Sequence, residues 1–194
     1  MRRLIVSMNV TLDGYLSGPN CEMDWHFAIW SPDMASALGE QLSKVDTILM
    51  GRITYCAMAS YMQLRARDTD VSRDDVPFID MMNSHKKIVF SKTLKEATWN
   101  NSTIARGSMP NKIVQLKKEQ GKDIIVYGSG QLVWDIIAHD LVDEYQLWVH
   151  PILLGNGRLL FNKVHCNHSL SLCETQVFSS GVVLLIYQTK KVEN

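Results

Sequence analysis

The sequence predicts an α/β domain built on a mixed, mostly parallel central sheet flanked by helices, with an antiparallel hairpin at its C-terminal end. Three observations carry this expectation. Short apolar, β-rich runs alternate with helical periodicities as far as residue 138. Glycine punctuates two of the strand-to-helix junctions, and beyond residue 138 the helical signals stop while strand signals continue. Parallel βα units followed by a strand-rich tail give a parallel sheet extended by antiparallel strands.

Leu4 to Val10 is the first apolar run, closed by the turn dipeptide Asp13-Gly14. Behind Ser31-Pro32, the apolar positions Met34, Ala37, Leu38 and Leu42 recur at helical spacing over Asp33 to Leu42. Thr47 to Met50 reads as a buried strand ending at Gly51, and a helix is expected to begin within Arg52 to Met58. Residues 65–76 are highly charged and aperiodic, a pattern that reads as a surface excursion. Lys87 to Ser91 is a strand, Ser102 to Ala105 a shorter one after the Trp99-Asn100-Asn101 turn, and Pro110 to Lys118 a helix with proline in its first turn. Ile124 to Tyr127 passes through Gly128-Ser129-Gly130 into the apolar helix Leu132 to Ala138. Glu144 to His150, Ser171 to Phe178 and Val182 to Thr189 are strands, the last two joined by a Ser179-Ser180-Gly181 hairpin turn. With no internal repeat, residues 1–194 are expected to form one domain.

Composition narrows the function classes. Twenty basic residues balance twenty acidic ones, so no net field favours nucleic acid or an anionic membrane. The apolar run after Arg2-Arg3 is too short for a signal segment, and the cytoplasm is the expected compartment. Cys21, Cys56, Cys166 and Cys173 have no CxxC spacing and read as reduced thiols. His165, Cys166, His168 and Cys173 match no zinc pattern and read as a surface turn, so no metal is expected.

The two glycine junctions, Met50-Gly51-Arg52-Ile53-Thr54 and Tyr127-Gly128-Ser129-Gly130-Gln131, are where phosphate chemistry fits. Glycine lets backbone approach a ligand, and the first N–H groups of a helix form an anion site. The plain alternative is that each glycine only makes a tight turn. Ser91-Lys92-Thr93 closes a third strand end with a cation and hydroxyls, which strengthens the phosphate reading. Gly128-Ser129-Gly130 does not fit the Gly-x-Ser-x-Gly nucleophile elbow, which argues against a serine hydrolase.

Five stretches together resemble the RibD C-terminal domain family of the dihydrofolate reductase-like superfamily. They are Ser7 to Tyr15, Asp46 to Thr54 ending in Gly-Arg-x-Thr, Ser91 to Leu94, Val126 to Gly130, and Leu141 to Glu144 leading to Pro151 through Gly157. The resemblance implies a three-layer fold, an NADPH cofactor, a small-molecule substrate and a homodimer. It also implies that Gly51, Arg52 and Thr54 contact the cofactor phosphates, Ser91 and Lys92 the adenosine 2′-phosphate, and Gly128, Ser129, Gly130 and Gln131 the pyrophosphate. Asn9, Thr11, Asp24 and Trp25 are then expected near the substrate. Asp13 is the catalytic candidate, as an ionised acceptor that orients water or a substrate N–H; its other reading is a turn residue. The family's riboflavin-pathway reductases carry Asp-x-Pro-x-Leu after Gly-Arg-x-Thr, where this chain has Tyr55-Cys56-Ala57-Met58-Ala59. The implied function is an NADPH-dependent reductase of a small heterocyclic or carbonyl substrate. A non-catalytic nucleotide-binding or assembly protein that keeps the cofactor cleft is the alternative.

Overall fold

The computed structural model describes residues 1–65, 76–162 and 169–190. In chain order the elements are β1 (Leu4–Thr11), β2 (Tyr15–Ser17), α1 (Asp24–Ala28), α2 (Pro32–Ser43), β3 (Val45–Gly51), α3 (Arg52–Arg65), α4 (Val76–Ser84) and β4 (Lys86–Phe90). They continue with β5 (Ser102–Ala105), α5 (Met109–Lys118), β6 (Asp123–Tyr127), α6 (Gly130–Ile137), β7 (Glu144–His150), β8 (Arg158–Leu159), β9 (Leu170–Val177) and β10 (Val183–Thr189).

The main sheet runs β5-β4-β3-β6-β1-β7-β10-β9, and the small pair β2-β8 lies apart from it. Every pairing from β5 to β7 is parallel, while β10 is antiparallel to both β7 and β9. This is the mixed α/β fold expected, and the two-residue period of β1 shows how it is layered. Leu4, Val6 and Met8 face Ile113 and Leu116 of α5 and Leu132, Val133 and Ile136 of α6. Ile5 faces the other way, packing with Ile48, Met50, Val89 and Ile125 against Leu42 of α2, Tyr55 and Met62 of α3, and Ile79 and Met82 of α4. A strand buried on both faces reads as a largely apolar run; β1 opens as Leu4-Ile5-Val6 and stays apolar at Met8 and Val10, while Ser7, Asn9 and Thr11 alternate with them.

Connectivity creates the crevice. The chain leaves β3 through α3 towards β4 on one side, and leaves the adjacent β6 through α6 towards β7 on the other. Since α3 and α6 cover opposite faces, a gap opens beyond the carboxyl ends of β3 and β6, the switch point at which such sheets bind ligands.

Three features were not legible in advance. The helix α4 follows the charged stretch, whose residues 66–75 lie outside the described residues. The five-residue α1 has no side-chain cap on its first turn. The pair β2-β8 is too short to show a period. Also unanticipated is Lys87, wholly buried in β4. Its ammonium donates to the carbonyls of Met82 (2.8 Å), Asn83 (3.1 Å) and His85 (2.8 Å), closing the C-terminus of α4. It also sits 4.5 Å from the centroid of the Trp99 ring. Burial pulls its pKa down to about 8.

Candidate functional site

A cleft of about 1100 Å³ runs along the carboxyl ends of the parallel strands. Gly51, Arg52 and Thr54 line it, as do Ser91, Lys92 and the run Gly128, Ser129, Gly130 and Gln131. Asn9 opens onto it from β1. Thr11, Asp13, Asp24 and Trp25 are not among its lining residues.

The two glycine junctions are stitched to each other. The Gly51 N–H donates to Ser129 Oγ at 2.9 Å, and Ser129 Oγ lies 3.3 Å from the Tyr127 carbonyl it donates to. The Thr54 hydroxyl donates to the Gly128 carbonyl at 3.0 Å. The hydroxyl protons of Thr54 and Ser129 thus serve the protein's own backbone. Gly128 has φ +61°, and a Cβ there would stand 3.3 Å from the Thr54 methyl, so the turn admits only glycine without strain. The starts of α3 and α6 also open onto the cleft, and the first N–H groups of a helix have no partner within it, which makes such a start suited to an anion.

Cations gather at neighbouring strand ends. Arg52 and Lys92 are exposed at the rim, and Arg106, which the sequence reading missed, joins them from the end of β5. Its guanidinium donates to the Leu94 carbonyl at 3.0 Å. In the same turn Ser91 Oγ accepts from the N–H groups of Thr93 (3.2 Å) and Leu94 (2.9 Å). The available signal was position alone: Arg106 follows β5 as Lys92 follows β4.

The other half of the cleft is aromatic and sulfur-rich, with Phe27, Trp30, Met58, Tyr61, Met62 and Trp148 on its walls. Trp148 belongs to the core as well, stacked on Phe178 at 5.3 Å between centroids. His26 lines this half, and burial lowers its pKa to about 4. Behind it lies His150, with no exposed surface, its ring 5.4 Å from that of His26. Burial first, and His26 second, bring the His150 pKa to about 4 as well. Its Nε2 is 2.9 Å from Asn9 Oδ1. Trp25 is a buried packing residue that meets His150 edge-on at 5.0 Å, and Asp24 is exposed at the start of α1.

Asp13 holds a loop. It accepts from the Thr11 hydroxyl at 2.6 Å and from the backbone N–H groups of Leu154 (3.0 Å) and Gly155 (2.8 Å). Thr11 Oγ1 in turn accepts from the Tyr15 N–H at 2.9 Å. These bonds, that from Thr11 foremost, lower the Asp13 pKa and keep it ionised.

Among the described residues no cluster of histidine, cysteine or acidic side chains could hold a metal ion, and no helix is long and apolar enough to cross a membrane. His165, Cys166 and His168 lie outside the described residues; Cys173 is an exposed free thiol.

Comparison with known proteins matches residues 2–184 to the RibD C-terminal domain. The uncharacterized protein YyaP of Bacillus subtilis (strain 168) is 37% identical over 186 residues, which is 96% of this chain and 94% of YyaP. Among solved structures, a protein of Shewanella sp. PV-4 assigned to riboflavin biosynthesis superposes with a TM-score of 0.76 at 23% identity, covering 97% of this chain and 99% of that one. A dihydrofolate reductase from Enterococcus faecalis, complexed with NADP(H), gives a TM-score of 0.62 at 11% identity over 97% of both chains.

Proposed function

The chain belongs to the RibD C-terminal domain family, whose fold it shares with dihydrofolate reductase, and we propose that it is an NADPH-dependent reductase acting on a small heterocyclic or carbonyl-type substrate. One observation carries the reading: two glycine junctions, stitched together at the switch point, open onto a single cleft whose rim bears Arg52, Lys92 and Arg106. That donor set fits a phosphorylated dinucleotide. The helix starts at Arg52 and Gly130 would hold the pyrophosphate, and Ser91, Lys92 and Arg106 the 2′-phosphate. When bound, NADPH supplies the hydride. The protein holds the two ends of the nucleotide, shields the reacting region between Asn9 and the aromatic wall from water, and presents the acceptor. Asp13 enters as support for the loop at Leu154 and Gly155, because its carboxylate oxygens already carry three donors.

Arg52→Ala is expected to weaken NADPH binding roughly 10- to 150-fold, the loss of one charge-assisted contact worth about 1.5–3 kcal/mol. Calorimetric titration of NADPH and NADH measures this, and equal affinities of the unaltered protein for both would sink the 2′-phosphate assignment. NADPH oxidation across a panel of heterocycles and carbonyls separates a reductase from a silent nucleotide binder.

A homodimer is part of the same proposal. β9 is an edge strand, with Leu172 54% and Val177 70% exposed, and such an edge is a template for pairing. Light scattering is expected to give the dimer mass at micromolar concentration; a monomer mass throughout contradicts it.

A further inference from the structure

Asn9 faces two ways. It lines the cleft, yet its Oδ1 meets the fully buried ring of His150 at Nε2, 2.9 Å away. A carboxamide oxygen only accepts, so Nε2 carries the proton and Nδ1 is a bare lone pair. The packing around the ring agrees. Among the described residues, His150 Nδ1 and Trp25 Nε1 are buried side-chain atoms without a hydrogen-bond partner, and the two rings pack edge-on. With Nδ1 as acceptor, the unpartnered pair is one donor and one acceptor. With the Asn9 amide turned round, the proton would move to Nδ1 and leave two buried N–H donors without an acceptor, the costlier arrangement, since orphaned donors are rarer than under-satisfied acceptors. The ring is also neutral, since burial and His26 hold its pKa near 4.

We infer that His150 is a positioning residue that fixes the Asn9 carboxamide with its N–H2 donors towards the cleft, making a subsite beside His26 that reads a neutral hydrogen-bond acceptor, a carbonyl oxygen or an unprotonated ring nitrogen, on a flat apolar ligand. The surroundings match that ligand class. Phe27, Trp30 and Trp148 supply flat apolar surface at the same end of the cleft, where one well-placed donor decides orientation. The assignment to substrate rests on the reductase reading; the subsite itself does not.

Nitrogen-15 NMR of the full chain tests it. At pH 7.5 the His150 ring should show the neutral Nε2–H form. Quinoline, a flat probe with one ring-nitrogen acceptor, should shift the Asn9 side-chain N–H2 signals, and naphthalene, its isostere without the acceptor, should not. His150→Ala should weaken quinoline about fivefold or more by freeing the carboxamide to rotate. His150→Gln, whose amide N–H can reach the same Asn9 oxygen, should restore most of that loss. A merely structural histidine would lower thermal stability without separating quinoline from naphthalene. Should His150→Ala fail to fold, Asn9→Asp keeps the oxygen that His150 binds, removes the donors, and should lose the quinoline preference. An Nδ1–H ring, an equal response to both probes, or an undiminished preference in Asn9→Asp overturns the subsite. NADPH titrations of the same proteins report on the nucleotide cleft separately, so a failure of the reductase reading shows there and not in the probe pair.

Discussion

Lys87→Met is expected to cost the fold about 3 kcal/mol. Three carbonyls at the end of α4 lose their donor together, and an unmet buried acceptor costs about 1–3 kcal/mol. The contact with the Trp99 face goes as well, worth about 0.5–2 kcal/mol. Against these stands the relief of no longer burying an ammonium, whose pKa burial pulls down to about 8. In a chain of this size the net loss lowers Tm by roughly 6–12 °C, readable by calorimetry. A second arm isolates the charge. The folded pKa lies below the usual 10.5, so between about pH 8 and 10.5 the unfolded chain binds more protons at this group, and its contribution to stability rises with pH there. That component should vanish in Lys87→Met. A Tm unchanged by the substitution would show that the carbonyls find other donors and that Lys87 is not the cap.

Acid should destabilise the protein through the two histidines at the aromatic half of the cleft. His26 and His150 have folded pKa values of about 4 against 6.5 in the reference state. Between these values the unfolded chain holds the extra protons, so the stabilisation is complete above pH 6.5 and is lost as pH falls through 4. Each ring taken alone is worth roughly 3 kcal/mol. The two are not additive, because a charged His26 opposes the charging of His150. Asp33, held at about 2 first by the Ser31 hydroxyl and then by the Ser179 N–H, acts below its ordinary 3.8 and leaves the window from pH 4.5 to 7 to the histidines. Urea titrations at pH 7.5 and 4.5 should show the midpoint falling, with His26→Gln and His150→Gln each flattening the profile. A midpoint constant across that window would mean that neither ring is buried neutral.

The sheet, and the gathering of the two glycine junctions on one cleft, were legible because their signals are local. Doubly buried strands carry apolar runs, such as Leu4-Ile5-Val6, Ile48-Leu49-Met50 and Ile124-Ile125-Val126, and a tight turn at positive φ favours glycine, so β1, β3, β6 and Gly128 announce themselves. The partners of those groups were not legible. Nothing in the string says that Ser129 turns to the Gly51 N–H, or Thr54 to the Gly128 carbonyl, since both bonds join segments that are distant in sequence. His150 looked like the last residue of a strand. Only its pairing beside β1, where Asn9 aligns with Trp148 and Thr11 with His150, puts its ring against Asn9. Asp13 drew attention through its Leu-Asp-Gly setting, and a turn aspartate that gathers backbone N–H groups carries the same signature as one that gathers a substrate.

The stitching of the two glycine junctions also bears on how ligands come and go. Two hydrogen bonds tie the α3 and α6 starts together, so the glycine-junction half of the cleft cannot widen without breaking both. The nucleotide proposed for it would therefore meet a preorganised cradle and lose little affinity to ordering it. The opposite wall is built differently: the five-residue α1 contributes Phe27, 62% exposed, without a side-chain cap on its first turn. On the proposed function, adaptation to the shape of an acceptor falls to that wall, while the stitched half keeps its form.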